Sequence, residues 1–113
     1  MTTQIRQQNG ITILEPSGKL VGTAVLDLRK AMSPQIEGYE APRILINFEN
    51  VHMIDSSGLG ALLEARAFTN RNNGRIGVIN VGKHIKNLVV LSRLVSMFEH
   101  YDDEDAAIEA LEA

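Results

Sequence analysis

Two short apolar runs, Arg43-Ile44-Leu45-Ile46-Asn47-Phe48 and Arg75-Ile76-Gly77-Val78-Ile79-Asn80-Val81, constrain this chain most. Both are β-branched and almost continuous, the pattern of strands buried on two faces. Pro42 and Glu49-Asn50 bound the first, and Gly77 is the weak point of the second. Each is followed by residues with helical spacing. After the first come Leu59, Leu62, Leu63 and Ala67 in a helix expected from about Ser57 to Asn70. After the second, Ile85, Leu88, Val89 and Ser92 suggest a helix over Lys83 to Arg93. Strands separated by helices require crossover connections, hence a mainly parallel sheet with right-handed βαβ units. The fold class is α/β.

The remaining elements fit around that frame. Thr3 to Gln8 and Ile11 to Glu15 flank Asn9-Gly10, a two-residue hairpin signal because both residues tolerate positive φ. Pro16-Ser17-Gly18 is expected to end the second strand. Thr23 then offers an N-cap for a helix with Val25, Leu28 and Met32 inward. Pro34 should end or kink that helix, with Gly38 as a stop, and Asn72-Asn73-Gly74 should break the next. Met97 to His100 suits a short last strand, and Asp102 or Asp103 can cap a terminal helix carrying Ile108 and Leu111. Met53 and Met97 read as core fillers.

Chemistry concentrates at Asp55-Ser56-Ser57-Gly58-Leu59-Gly60. This stretch begins a helix beyond the carboxyl end of a strand. Unpaired amides and the helix dipole favour an anion there, so a phosphoryl group on a serine would meet a ready environment. Capping alone explains one polar residue at a helix start, worth about 1 kcal/mol. It explains three of them less well, and two early glycines make the helix harder to form. Those glycines could instead leave a low surface beside Ser56 for another protein's active site. Leu59 and Leu63 suit either the core or a partner.

With the strand before it, Asp55-Ser56-Ser57-Gly58-Leu59-Gly60 resembles the signature of STAS domains, and more narrowly of bacterial anti-sigma factor antagonists. Gly18-Lys19-Leu20 and the run Ile85-Lys86-Asn87-Leu88 through Leu94 extend the resemblance over nearly the whole chain. It implies a STAS fold as a single domain over residues 1–113, with an N-terminal hairpin, roughly four to five strands in sequential order and about four helices. The resemblance makes Ser56 the phosphoacceptor and puts Asp55, Ser57, Gly58, Leu59, Gly60, Val21 and Gly22 at the partner surface. An anti-sigma factor that is also a serine kinase would be the partner, releasing its sigma factor, and a serine phosphatase would reverse the modification. A STAS scaffold that binds a partner constitutively is the alternative. Many antagonists carry an acidic residue at the position of Val21, and Lys19 likewise replaces a commonly acidic neighbour.

Composition narrows the function classes. At 113 residues and 44% hydrophobic content the chain supports one core. A net charge of −3, with no basic patch, gives no support to nucleic-acid binding. Cysteine is absent, which removes disulfides and thiolate metal sites. His52, His84 and His100 show no ligand spacing, so no metal or cofactor is expected. A nucleophile elbow would need glycine where Ile54 stands, and Gly58-Leu59-Gly60 lacks the lysine of a phosphate-binding loop. The reading is therefore a non-enzyme. Without an apolar leader or a spanning run, a monomeric cytoplasmic protein is the expectation.

Overall fold

Period-two alternation organises the interior of the computed structural model, which describes residues 2–112. Strand β1 (Thr2–Gln8) turns into β2 (Ile11–Leu20) through Asn9 and Gly10, whose φ angles of 55° and 79° make the expected tight hairpin. A 3-10 turn over Gly22–Ala24 leads to α1 (Val25–Ile36). Then follow β3 (Arg43–Asn47), β4 (Asn50–Ile54), α2 (Ser56–Arg71), β5 (Arg75–Ile79), α3 (Leu88–Met97), β6 (Glu99–Tyr101) and α4 (Glu104–Glu112). The sheet runs β1-β2-β3-β5-β6, with β4 also paired to β2. Only β1 is antiparallel; every other pairing is parallel.

Both faces of the sheet are covered. Leu14, Ile44, Ile46 and Val78 pack with α1, α2 and α3, while Ile13, Leu45 and Ile79 pack with Ala107, Ile108 and Leu111 of α4. Neighbouring residues point to opposite layers, so the central strands are continuously apolar. Asp103 caps α4, its Oδ1 accepting from the Ala106 amide at 2.8 Å.

Several boundaries differ from expectation. β2 does not stop at Pro16-Ser17-Gly18. Its first half pairs with β3 at Thr12 to Leu14 and its second with β4 from Ser17, so Pro16 falls between partners, where a missing N–H costs no ladder bond on that side. That second pairing creates β4, a strand without an alternating signal, and brings the total to six. Thr23 is not a cap: the Ala24 amide donates to the Val21 carbonyl at 3.2 Å, and the 3-10 turn leads straight into α1. Pro34 sits within α1, in its last turn, and the helix ends two residues later at Ile36.

Two helical faces are also rotated. In α2 the buried line is Gly58, Ala61, Leu62, Ala65 and Thr69, leaving Ala67 exposed. Thr69 is tolerated inside because its hydroxyl donates to the Ala65 carbonyl at 2.8 Å. α3 starts later than Lys83 because Asn87 caps it, accepting from the Val89 and Val90 amides at 3.0 and 3.2 Å. Val90 and Leu94 then face the core, while Leu88 and Val89 are 77% and 69% exposed and Ser92 is exposed as well. Ile85 is buried in the preceding loop. Met97 packs against the core as expected, but Met53 is 50% exposed on β4.

Candidate functional site

The start of α2 is built by a carboxylate and two backbone approaches. Asp55 is the N-cap, with Oδ1 accepting from the Gly58 amide at 3.0 Å. Its Oδ2 accepts from the Gly22 amide at 3.2 Å, which ties the loop after β2 to the helix terminus. Its own amide donates to the Leu20 carbonyl at 3.3 Å. The Gly58 amide is the main reason the Asp55 carboxyl sits below its ordinary pKa; partial desolvation opposes this and the Gly22 amide reinforces it.

With Asp55 as cap, the hydroxyls are left over. Ser56 and Ser57 are exposed, and among the described residues neither side chain is hydrogen-bonded. A phosphoryl group on either would project from the positive end of a helix. Val21 and Gly22, far away in sequence, lie beside this terminus through the Gly22–Asp55 bond. Val21 is half-buried and Gly22 exposed.

The two glycines differ. Gly58 is buried, and a Cβ there would lie 2.4 Å from the Leu20 carbonyl oxygen and 2.9 Å from Ile54 Cγ2. Its absent side chain lets α2 seat on β2. Gly60 is exposed with nothing within 4 Å of a Cβ position, so it alone supplies the low surface expected of both. Leu59 and Leu63 are half-buried and pack against the core.

One neighbourhood was not visible in the sequence. His52 on β4 and His84 in the loop before α3 bring their rings to 4.8 Å between centroids, tilted by 56°. They flank a groove of about 430 Å³ that also takes in Met53, Asp55 and Lys86. Their residue types gave no signal, since the contact depends on pairing of β4 that the local pattern does not announce. Among the described residues, no group of three or more His, Cys, Asp or Glu could hold a metal ion, and no helix is long and apolar enough to cross a membrane.

Known proteins share this fold. An anti-sigma F factor antagonist of Paenibacillus polymyxa is 29% identical over 114 residues, covering 99% of this chain and 97% of that protein. The crystal structure of an anti-sigma factor antagonist from Mycobacterium paratuberculosis matches with a TM-score of 0.82 at 22% identity, covering 99% of this chain and 94% of that one. The Bacillus cell fate determinant SpoIIAA in its phosphorylated form matches with a TM-score of 0.69 at 23% identity, covering 96% and 98%. At such identities the two structures speak for the fold. The family model of the STAS domain matches residues 2–107, and the chain belongs to that family.

Proposed function

We propose that this protein is an anti-sigma factor antagonist that works by partner switching, with Ser56 as the phosphoacceptor. One observation carries the reading: Ser56 stands at the first position of α2, exposed and released from capping by Asp55. The relatives support it, since the Paenibacillus polymyxa protein is an anti-sigma F factor antagonist and SpoIIAA is known in a phosphorylated form. The unphosphorylated chain would bind an anti-sigma factor that is also a serine kinase, so that a sigma factor is released. Asp55, Ser57, Leu59, Gly60, Val21 and Gly22 would border the contact, with Gly58 holding α2 in place from within. Phosphotransfer from ATP to Ser56 would end the complex, and a serine phosphatase would restore it. The chain itself performs no chemistry in this scheme.

The switch is electrostatic. Phosphoserine adds about −1.5 to −2 charges at neutral pH. Placed at a contact that excludes water, such a charge needs to cost only about 2.7 kcal/mol to weaken binding a hundredfold.

Intact-mass measurement on natively expressed protein, followed by peptide mapping, tests the reading. One phosphate on Ser56 is expected, and none in a Ser56→Ala variant. That variant should melt like the parent within about 1 kcal/mol, since the hydroxyl caps nothing. Phosphate on Ser57 or a threonine would refute the assignment. Unmodified protein that still holds its partner would favour the constitutive scaffold.

A further inference from the structure

Helix α3 is more apolar than its burial explains. Seven of its ten residues are Leu, Val or Met, yet only Val90 and Leu94 are buried. Leu88 and Val95, seven residues apart, share a helical face and are both exposed. Met53, also open, lines the adjoining groove between the end of β4 and the segment entering α3. Exposed apolar side chains clustered in this way mark a contact surface.

The groove is continuous with the candidate switch. Met53, Ile54 and Asp55 line it and lead directly into Ser56, and the Asp55 carboxylate serves as the cap of α2. A protein gripping Ser56 needs roughly 800 Å² on each side, far more than one serine and its neighbours offer. Beyond the Val21–Gly22 loop, which already borders Asp55, such a footprint can extend between α1 and α2 or toward α3. Between α1 and α2 the surface carries the Arg29–Glu64 ion pair at 3.2 Å, whose charges resist desolvation. Toward α3 it is apolar. Lys86 lines the groove and, among the described residues, forms no ion pair, whereas the nearby Lys83 is held by Glu49 at 3.1 Å and the Asp55 oxygens accept from backbone amides.

We propose that this groove and the Leu88–Val95 face form the second half of the interface with the kinase that acts on Ser56. That partner presents an apolar side chain and beside it a carboxylate that meets Lys86. The proposal rests on the Ser56 reading above and adds where the affinity comes from. Contacts here lie away from the transferred phosphoryl group, so they hold the substrate and transition state equally. Removing them raises KM and leaves kcat alone.

The test uses a serine kinase fractionated from the source organism by transfer of labelled phosphate from ATP to Ser56 of the wild-type chain. Initial rates are then compared for wild type, Leu88→Asp and Lys86→Glu, with thermal melts confirming that each is folded. Leu88→Asp and Lys86→Glu should each raise KM about tenfold, equivalent to about 1.4 kcal/mol, with kcat within about twofold. Unchanged KM in both charged variants, or a loss confined to kcat, overturns the groove while leaving Ser56 as the acceptor. Failure of every fraction to label Ser56 overturns the switch and the groove together. Sedimentation and vesicle binding cover the other occupants. A wild-type dimer that Leu88→Asp dissociates, or Leu88-dependent binding to anionic phospholipid vesicles, would assign the face elsewhere and overturn the proposal.

Discussion

Replacing Gly58 and Gly60 separately by alanine should move stability in opposite directions, although both lie in the first turns of α2. At position 58 the new methyl carbon would stand 2.4 Å from the Leu20 carbonyl oxygen, 2.9 Å from Ile54 Cγ2 and 3.2 Å from Leu20 Cβ. The nearest obstacle is backbone and cannot rotate away. Restoring an ordinary contact of about 3.5 Å requires helix and strand to part by roughly 1 Å. The same carbonyl receives the Asp55 amide, so that movement also strains the cap. Overpacking of this kind costs about 3 kcal/mol at the upper end of its usual range, and the helix preference of alanine over glycine returns about 1 kcal/mol. Gly58→Ala should therefore destabilise by about 2 kcal/mol. Gly60→Ala meets nothing within 4 Å and keeps the whole gain, about 1 kcal/mol. Urea unfolding followed by circular dichroism separates the variants, and their melting temperatures should differ by roughly 12 °C or more. A Gly58→Ala protein as stable as the parent, or both variants shifting the same way, would refute the packing argument. Gly60→Ala carries a second readout. Residue 60 lies one turn beyond Ser56 on the same helical side, so under the proposed switch the methyl should slow phosphorylation of a chain that folds better.

Asp55→Asn keeps a capping oxygen but loses the charge. Because the folded-state pKa of Asp55 lies below the ordinary value, its carboxylate stabilises fully above the unfolded value of about 3.9 and stops doing so as pH falls through the folded value. The variant should be less stable than wild type near pH 7 and converge with it in acid. Urea midpoints across that range check this, and a constant difference would show that the charge is irrelevant. Val21→Asp places a second carboxylate beside the Gly22–Asp55 bond and removes a half-buried apolar side chain. Partner affinity in a pull-down should stay level or fall, and a tenfold gain, about 1.4 kcal/mol, would mean that the partner expects an acid there.

What could be read without the structure was what is decided locally. Asn9-Gly10 makes its turn by φ preference, and Ile44 to Ile46 and Ile76 to Ile79 are strands because both their faces are covered. Asp55 and the serines mark a helix start because few other residues satisfy orphan amides. The failures share a different cause. β4 exists because β2 changes partners after Pro16, and with only Val51 and Ile54 buried it has no period of its own. Met53 was misplaced for the same reason. The run from Ile85 to Ser92 imitates a helical stripe, but Asn87 caps in the middle of it and turns Leu88 and Val89 outward. The contact of His52 with His84 follows from both displacements. Within the site, the direction of each glycine depended on how close β2 comes to α2, which no local pattern encodes.

The same geometry explains how the proposed switch can change binding while leaving the fold alone. A phosphate on Ser56 would gain from the positive end of α2 by about 0.3–1 kcal/mol at an exposed site. It would be repelled by Asp55 by about 1 kcal/mol per unit charge at 4 Å in water. For the roughly −1.5 to −2 charges of phosphoserine the repulsion is about 1.5–2 kcal/mol and exceeds the gain, while Asp55 is further held by the Gly58 and Gly22 amides. In the free protein the net cost is about 1 kcal/mol, and the core packing of Leu62 and Ala65 beneath the helix has no reason to move. Docking removes the water that solvates the phosphate, and that desolvation is incurred only in the complex. Both Coulomb terms strengthen as the interface closes, and the lost hydration of the phosphate adds to the net repulsion against binding. Modification would thus be mild in stability and loud in affinity, which is the behaviour a reversible switch on a folded surface requires.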